Sequence, residues 1–181
     1  MHMLPRTNPD TRQRGFTLIE AVTAVAIVAV LAGLAAPPMS QFLAARRLED
    51  AARRIGEDLA FARNEAVKRN ASVLLCANTS GACASAPATA EWATGWRVCY
   101  DLNADGACDA TDTADRNPMR IQSAVSSSLK VTGPTSRLSF NANGTISSTS
   151  FTQFSITSPG TTAASWVVRI AASGAVSVRK T

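Results

Sequence analysis

An acidic, glycine-containing segment in the middle of the chain has the residue types and spacing of a cation-binding loop. A calcium loop places oxygen donors at its first, third, fifth and twelfth positions and a glycine at its sixth, where the chain turns sharply. These positions are occupied by Asp101, Asn103, Asp105, Asp112 and Gly106. Position twelve carries Asp in place of the longer Glu, and a polar turn between strands can have the same composition. A calcium site and an ordinary turn therefore both remain open, and no other cofactor is expected.

Four cysteines form a second group that could do chemistry: Cys76, Cys83, Cys99 and Cys108. Their even number and close spacing behind an apparent export segment favour two disulfides formed in an oxidising compartment. A tetrahedral metal site uses ligand pairs about two to four residues apart, and the gaps here are wider. Four cysteines allow three pairings, among which sequence does not choose. We expect local pairing, 76 with 83 and 99 with 108.

The commonest general base of enzymes, histidine, is missing from most of the chain. The only histidine is His2, so no serine, cysteine or aspartate further along can have an imidazole partner. Neither a phosphate-binding loop nor a hydrolase nucleophile elbow occurs. We therefore expect a protein that is not an enzyme, and a membrane-anchored enzyme is the disfavoured alternative.

The N-terminal segment combines a polar, basic leader with a long apolar run. Between Phe16 and Ala36 the single charge is Glu20, and as a helix this run would be about 31 Å long, close to the hydrocarbon thickness of a bilayer. The run alone also fits an ordinary signal peptide or a simple anchor. A carboxylate in the bilayer costs about 2.5–3.5 kcal/mol, so Glu20 requires a partner. Cleavage after Gly15 would create one, the α-amino group of Phe16, one helical turn away.

The stretch Gly15-Phe16-Thr17-Leu18-Ile19-Glu20 resembles the prepilin signature of type IV pilins and type II secretion pseudopilins. This resemblance implies cleavage between Gly15 and Phe16 by a prepilin peptidase and methylation of the new Phe16 amine. It also implies assembly with other pilins or pseudopilins through Glu20. The expected location is the inner membrane, as a single-pass precursor, and afterwards a periplasmic or extracellular pilus or pseudopilus.

The elements behind these residues are one long helix and a series of short strands. Pro37 and Pro38 are expected to kink or interrupt the helix, and Asn70 is a plausible end. An apolar stripe is predicted to pack the second part of the helix on its own domain; it consists of Ala45, Leu48, Ala52, Ile55, Leu59, Ala62 and Ala66. The dense arginines beside it are expected to form a solvated face: Arg46, Arg47, Arg53 and Arg54.

From Ser72 onward the sequence alternates short β-like runs with residues typical of turns. Asn143-Gly144 and Ser173-Gly174 are predicted hairpin turns. The predicted strands cover residues 73–77, 96–101, 119–122, 129–132, 137–141, 151–157, 165–171 and 175–179. The predicted fold is α+β, a long N-terminal helix packed on an antiparallel β-sheet domain. The predicted divisions are a leader at 1–15, a transmembrane and filament-core helix at 16–36, its amphipathic continuation at 37–70, and an exported β-rich domain at 71–181.

The order of several short stretches is also similar to FimT/GspH-type minor pilins. These stretches are Ala62-Arg63-Asn64-Glu65-Ala66, Gly95-Trp96-Arg97-Val98, Leu138-Ser139-Phe140 before Asn143-Gly144, and Val167-Val168-Arg169-Ile170 before Gly174. The resemblance implies a pilin fold and a structural role as a FimT-like minor pilin of a type IV pilus, in pilus biogenesis or DNA uptake. A GspH-like minor pseudopilin acting in type II protein secretion is the alternative.

DNA binding is a separate question, because FimT-like members linked to DNA uptake share a C-terminal Gly-Arg-x-Arg pattern. The corresponding turn here, residues 174–177, reads Gly-Ala-Val-Ser and lacks both arginines. Arg169, Arg179 and Lys180 remain nearby and could attract phosphates without sequence specificity. They fit equally an ordinary basic strand edge that discourages aggregation. Residues 1–15 hold three arginines and one aspartate, so their removal lowers the formal net charge from +5 to only +3.

Overall fold

The structure, a computed structural model, describes residues 15–77, 83, 92–103, 105–109, 117–147, 152–159 and 165–181, with the side chains at 34–38 excepted. The leader up to residue 14 and the proposed calcium ligand Asp112 lie outside the described residues. The elements, in chain order, are α1 (Leu18–Arg69), β1 (Ser72–Cys76), a 3-10 turn (Trp92–Thr94), β2 (Gly95–Asp101), β3 (Arg120–Ser123), β4 (Lys130–Thr132), β5 (Arg137–Phe140), β6 (Thr152–Thr157), β7 (Trp166–Ile170) and β8 (Val176–Lys180). The predicted α+β class is confirmed, and each of these strands begins and ends within one residue of its predicted position.

Helix α1 has defined signals at both ends. Thr17 precedes the helix, and its Oγ1 accepts a hydrogen bond from the Glu20 N–H at 3.3 Å, so the two residues have the spacing of a capping box. At the other end Asn70 adopts a left-handed φ of 52°. The Ala71 N–H then donates to the Ala66 carbonyl, closing a Schellman-type end. The predicted end at Asn70 is therefore correct.

The expected interruption at Pro37-Pro38 does not occur, because α1 is assigned as 52 continuous residues. Two prolines remove two intrahelical hydrogen bonds, whereas the alanine- and leucine-rich sequence on both sides favours the helix. Among the residues that the structure describes, none of the helical segments is both long and apolar enough to cross a membrane.

The chain divides into two compact units, one up to Ser40 and one from Gln41 to Thr181. In the first, large apolar side chains are exposed along the helix: Leu18, Ile19, Val22, Val25, Ile27, Val28, Val30, Leu31 and Met39. In the second, six residues of the predicted stripe are buried against the strands: Leu48, Ala52, Ile55, Leu59, Ala62 and Ala66. Ala45 is exposed, so packing begins only at Leu48. The four arginines of the other face are exposed as predicted.

The β region of the second unit consists of two antiparallel four-stranded sheets. Their strand orders are β3-β2-β1-β5 and β4-β6-β7-β8. One apolar face of each sheet contributes to a single core together with α1. The sequence predicted the strands but not their division into two sheets, because alternation within a strand does not reveal its neighbours.

Two sets of polar contacts fix α1 to this core. The buried Asp58 carboxylate accepts hydrogen bonds from Trp96 Nε1 at 2.8 Å and from the Arg120 guanidinium at 2.9 Å. Arg63 Nε donates to the Gly144 carbonyl, and a Cβ at Gly174 would lie only 2.0 Å from that oxygen. Both predicted turns therefore meet over the helix, and the one at Gly174 (φ 76°) requires glycine.

Candidate functional site

The candidate processing site at Gly15-Phe16 is open. Among the described residues, nothing beyond its chain neighbours lies within 4 Å of the position that a Cβ would take at Gly15. The Phe16 residue is 86% exposed, and the two residues precede the helix in backbone without regular secondary structure. A peptidase needs access to the backbone on both sides of the bond it cuts, and this segment provides it.

Glu20 occupies the first turn of α1, the third position after its cap. A carboxylate there interacts favourably with the helix dipole and has the position of the acid in a capping box. Sequence reasoning missed this local role, although the Thr-x-x-Glu spacing was available. Among the described residues, no hydrogen bond or ion pair reaches the Glu20 carboxylate.

The acidic loop centres on Asp101, at the end of β2. The residue is 3% exposed, and its Oδ2 accepts a hydrogen bond from the Gly106 N–H at 3.0 Å. Its Oδ1 is buried and has no hydrogen-bond partner among the described residues. Burial raises the pKa of Asp101, and the nearby charges of Asp105 and Asp109 raise it further. Arg137 donates a hydrogen bond to the carbonyl of the same Gly106.

The other polar side chains of this loop are used mainly in short-range hydrogen bonds. Asn103 accepts from the Asp105 N–H and donates to the Asp105 carboxylate. Asp109 Oδ2 accepts from the Leu102 N–H at 2.6 Å. Among the described residues the carboxylates of this loop do not gather as a metal-binding group. The loop therefore fits calcium only in part, through the buried oxygen atom of Asp101.

The structure pairs Cys76 with Cys83 and Cys99 with Cys108, the local pairing that we expected. The Cα–Cα distances are 5.6 and 5.5 Å, normal for disulfides. The four residues form a small cluster with Leu74 on the face of the first sheet that points away from α1.

The proposed DNA-binding residues lie on different faces of the second sheet. Its core-facing positions include Val168 and Ile170, so the alternate position Arg169 points outward. Arg179 pairs with Val167 in the register and shares this outer face, whereas Lys180 pairs with Trp166 on the core side. Lys130, which the sequence analysis did not select, lies on the outer face opposite Thr157.

The outer face of the second sheet carries cations and no acid. Its positions are Lys130, Thr132, Gln153, Ser155, Thr157, Val167, Arg169, Ser177 and Arg179. All acidic residues of the chain precede Arg116, a signal that was available in the sequence. No ion pair within the described residues involves Lys130, Arg169 or Arg179. We call this surface the basic sheet face.

A long N-terminal helix that begins at a cleavage-type segment, followed by a unit of antiparallel sheets packed on its second part, defines a type IV pilin-like protein. A family model for the prokaryotic N-terminal methylation motif matches residues 10–36. The model of the type II transport protein GspH matches residues 51–174, more than half of the chain. The chain therefore belongs to the GspH family, whose members are minor pilins and pseudopilins that assemble with other pilins into a filament.

Solved structures of two proteins have a similar fold. One is the type IV minor pilin FimU of Pseudomonas aeruginosa, with 23% identity, a TM-score of 0.57, and coverage of 74% of this chain and 89% of that chain. The other is the minor pseudopilin EpsH from the type 2 secretion system of Vibrio cholerae, with 12% identity, a TM-score of 0.53, and coverage of 74% and 97%. No curated protein matches the sequence significantly. At these identities the likeness establishes the fold alone.

Proposed function

We propose that this chain is a structural minor pilin of a type IV pilus, similar to FimT. A prepilin peptidase of the inner membrane cuts it between Gly15 and Phe16, and the new amine is methylated. The observation that carries this proposal is the exposed apolar segment of α1 with its single carboxylate, Glu20, directly after an accessible Gly15-Phe16 bond. The subunit is not an enzyme, since its role is to fill a position in the filament.

The apolar segment, residues 16–36, lies first in the membrane and later inside the filament. Before assembly, residues 16–36 lie in the inner membrane as a single span, where apolar side chains need no partner. After assembly, the same side chains pack against the helices of other subunits. Glu20 couples the two states, because an acid in apolar surroundings seeks a cation and the Phe16 amine of a neighbouring subunit supplies one.

The alternative is a minor pseudopilin of a type II secretion system, since the fold fits both machines. Deletion of the gene, followed by separate assays of twitching, transformation and protein secretion, distinguishes them. We expect loss of twitching or transformation with secretion intact. Loss of secretion alone would assign the chain to the secretion machine.

DNA is a second candidate partner, favoured by the basic sheet face. Arg169 and Arg179 are diagonal neighbours across β7 and β8, which places their Cβ atoms about 7–8 Å apart. Lys130 extends the charge to the other edge of the sheet. Serine, threonine and glutamine side chains between them can donate hydrogen bonds to phosphates. Binding at this face would be insensitive to sequence and strongly dependent on salt.

A gel-shift assay of the full chain in detergent, across a salt series, tests this proposal. In Arg169→Ala/Arg179→Ala the slope of log affinity against log salt should fall by about two, one for each phosphate that the variant no longer neutralises. The matched control is Arg47→Ala/Arg54→Ala, which removes two exposed charges from α1. The DNA proposal is wrong if the chain does not bind at low salt, or if the control loses as much affinity.

Calcium binding by Asp101, Asn103, Asp105 and Asp112 stays a separate proposal. The buried, unpartnered Oδ1 of Asp101 supports it, while the Arg137 guanidinium bound to the Gly106 carbonyl competes for the same space. Calorimetric titration of the full chain with Ca²⁺ and with Mg²⁺ decides between the alternatives. Heat with Ca²⁺ that is lost in Asp101→Asn supports the site, and no heat identifies an ordinary turn.

A further inference from the structure

The four cysteine sulfurs lie much closer together than their spacing in the sequence suggests. Cys76 Sγ is 3.7 Å from Cys108 Sγ and 4.0 Å from Cys99 Sγ, and these are contacts between the two disulfides. Three of the sulfurs lie within 4.8 Å of one another, and Cys83 is bonded to the first of them. The pairing of β1 with β2 is the cause. Leu74 lies directly opposite Cys99, so Cys76, two residues after Leu74, lies diagonally across from Cys99 on the same face of the sheet.

The distances from Cys76 Sγ to Cys108 Sγ and to Cys99 Sγ are close to those between ligands of a tetrahedral thiolate site. Zinc–sulfur bonds are about 2.3 Å long, so neighbouring sulfurs in a tetrahedral site are about 3.8 Å apart. Two contacts between the disulfides, from Cys76 to Cys108 and to Cys99, already have about this separation, whereas Cys83 lies outside the group of three and must move toward it. Once reduced, the sulfurs of each bonded pair need to move apart by only about 2 Å. The sequence analysis argued against a metal from the wide gaps between the cysteines. Those gaps do not measure the distances between the sulfurs, because strand pairing in the sheet brings them together.

The surrounding charge suits a site of this kind. Four thiolates around one Zn²⁺ carry a net charge of −2, and a buried anion needs cations or hydrogen-bond donors nearby. Cys76 is directly opposite Arg97 on β2 and opposite Arg137 on β5, so a guanidinium-bearing residue flanks it on each side. Arg97 is only 6% exposed.

We propose that the reduced chain binds one Zn²⁺ through the thiolates of Cys76, Cys83, Cys99 and Cys108, and that zinc and the two disulfides are alternative occupants of this cluster. A phosphine, oxidised to its oxide with water, or a dithiol, oxidised to its own disulfide, supplies two electrons and two protons to each disulfide, so two equivalents yield four thiols. Zinc then replaces the four thiol protons, which pass to the buffer. Zinc in this position would hold the loops after β1 and β2 on the sheet before oxidation occurs.

Titration of the full chain in detergent with Co²⁺, a spectroscopic substitute for Zn²⁺, tests the proposal under anaerobic conditions with a phosphine reductant. We expect one Co²⁺ per chain, with the visible and charge-transfer absorption of tetrahedral four-thiolate coordination, and displacement of Co²⁺ by one equivalent of Zn²⁺. The oxidised chain should show no such absorption. Absence of this spectrum from the reduced chain would overturn the proposal.

Variants separate a built site from incidental binding to free thiols. Cys108→Ser should weaken affinity by more than about 100-fold, because loss of a ligand exceeds the 10–100-fold cost of losing an outer-shell partner. Ser139→Ala, on the same face of β5, is the matched control and should bind as the parent does. Equal affinity in Cys108→Ser and the parent would contradict the four-thiolate site.

A second readout covers the case in which the reduced chain or the variant is unstable. The melting temperature of the reduced parent should rise with one equivalent of Zn²⁺ and not with Mg²⁺, since metal that binds only the folded state stabilises it. If zinc leaves the melting temperature unchanged, the folded cluster does not bind it and the proposal fails.

Discussion

The two parts of helix α1 have similar apolar residues but opposite surroundings. Ile27, in the unit up to Ser40, is 60% exposed, whereas Ile55, in the unit from Gln41, is 0% exposed. Both lie in the same continuous helix. Burial of such a side chain is worth about 1.5–3 kcal/mol, so the second part gains stability from its own chain. The first part leaves that gain to whatever surrounds it, which in a pilin is the rest of the filament.

The largest effect is expected from substitution of Glu20, the single charged residue in the apolar part of α1. Glu20→Ala and Glu20→Gln should both leave cleavage at Gly15 intact and lower incorporation into filaments at least about tenfold, a factor that needs only about 1.4 kcal/mol. Gln can still serve in a capping box, so the Gln variant isolates the charge. Immunoblots of sheared filaments and of membranes measure both steps. Normal incorporation of Glu20→Gln would show that the charge is dispensable.

A matched pair of isoleucines tests the two parts directly. Ile55→Ala should destabilise the unit from Gln41 by about 2–5 kcal/mol, because it leaves a cavity in the core. Ile27→Ala should change the unfolding free energy of the unit from Gln41 by less than about 0.5 kcal/mol. Denaturant unfolding of the full chain in detergent, followed by tryptophan fluorescence, measures both. Similar losses for the two variants would contradict the division of roles.

A smaller effect concerns two acids of the unit from Gln41 whose contributions to stability respond to pH in opposite directions. Burial alone would raise the pKa of Glu65, but the Arg69 hydrogen bond and the charges of Lys68 and Arg69 outweigh it and leave the pKa lowered. Its contribution is therefore present above the ordinary carboxyl pKa and is lost as pH falls through the lowered value. Asp101 has a raised pKa, chiefly from burial, so stability declines as pH rises from the ordinary carboxyl pKa through that raised value.

Neutral substitutions of these two acids should consequently change the free energy of unfolding in opposite directions at pH 7. Glu65→Gln should lower stability, and its difference from the parent should shrink in acid. Asp101→Asn should raise stability at neutral pH in calcium-free buffer, and this gain should also disappear in acid. Unfolding measurements between neutral and acidic pH check both curves. A loss of stability in Asp101→Asn would mean that its carboxylate has a cationic partner.

Properties set by neighbouring residues in the chain could be predicted well. The strand positions follow from local alternation, the helix end from Asn70, and the buried stripe from 3.6-residue periodicity. Properties set by pairing between distant strands could not. The division into two sheets and the convergence of Cys76 with Cys99 both depend on which strands are neighbours and in what register. Ala45 shows a related limit, since periodicity does not reveal where packing begins.

Mass spectrometry of the intact mature protein, purified from filaments or membranes, tests the central claim most directly. The claim is that cleavage after Gly15 creates the amine that the exposed helix and Glu20 require. We predict a chain that begins at Phe16 and carries one additional methyl group. A mature chain that retains residues 1–15, or that begins at any other residue, would contradict the account.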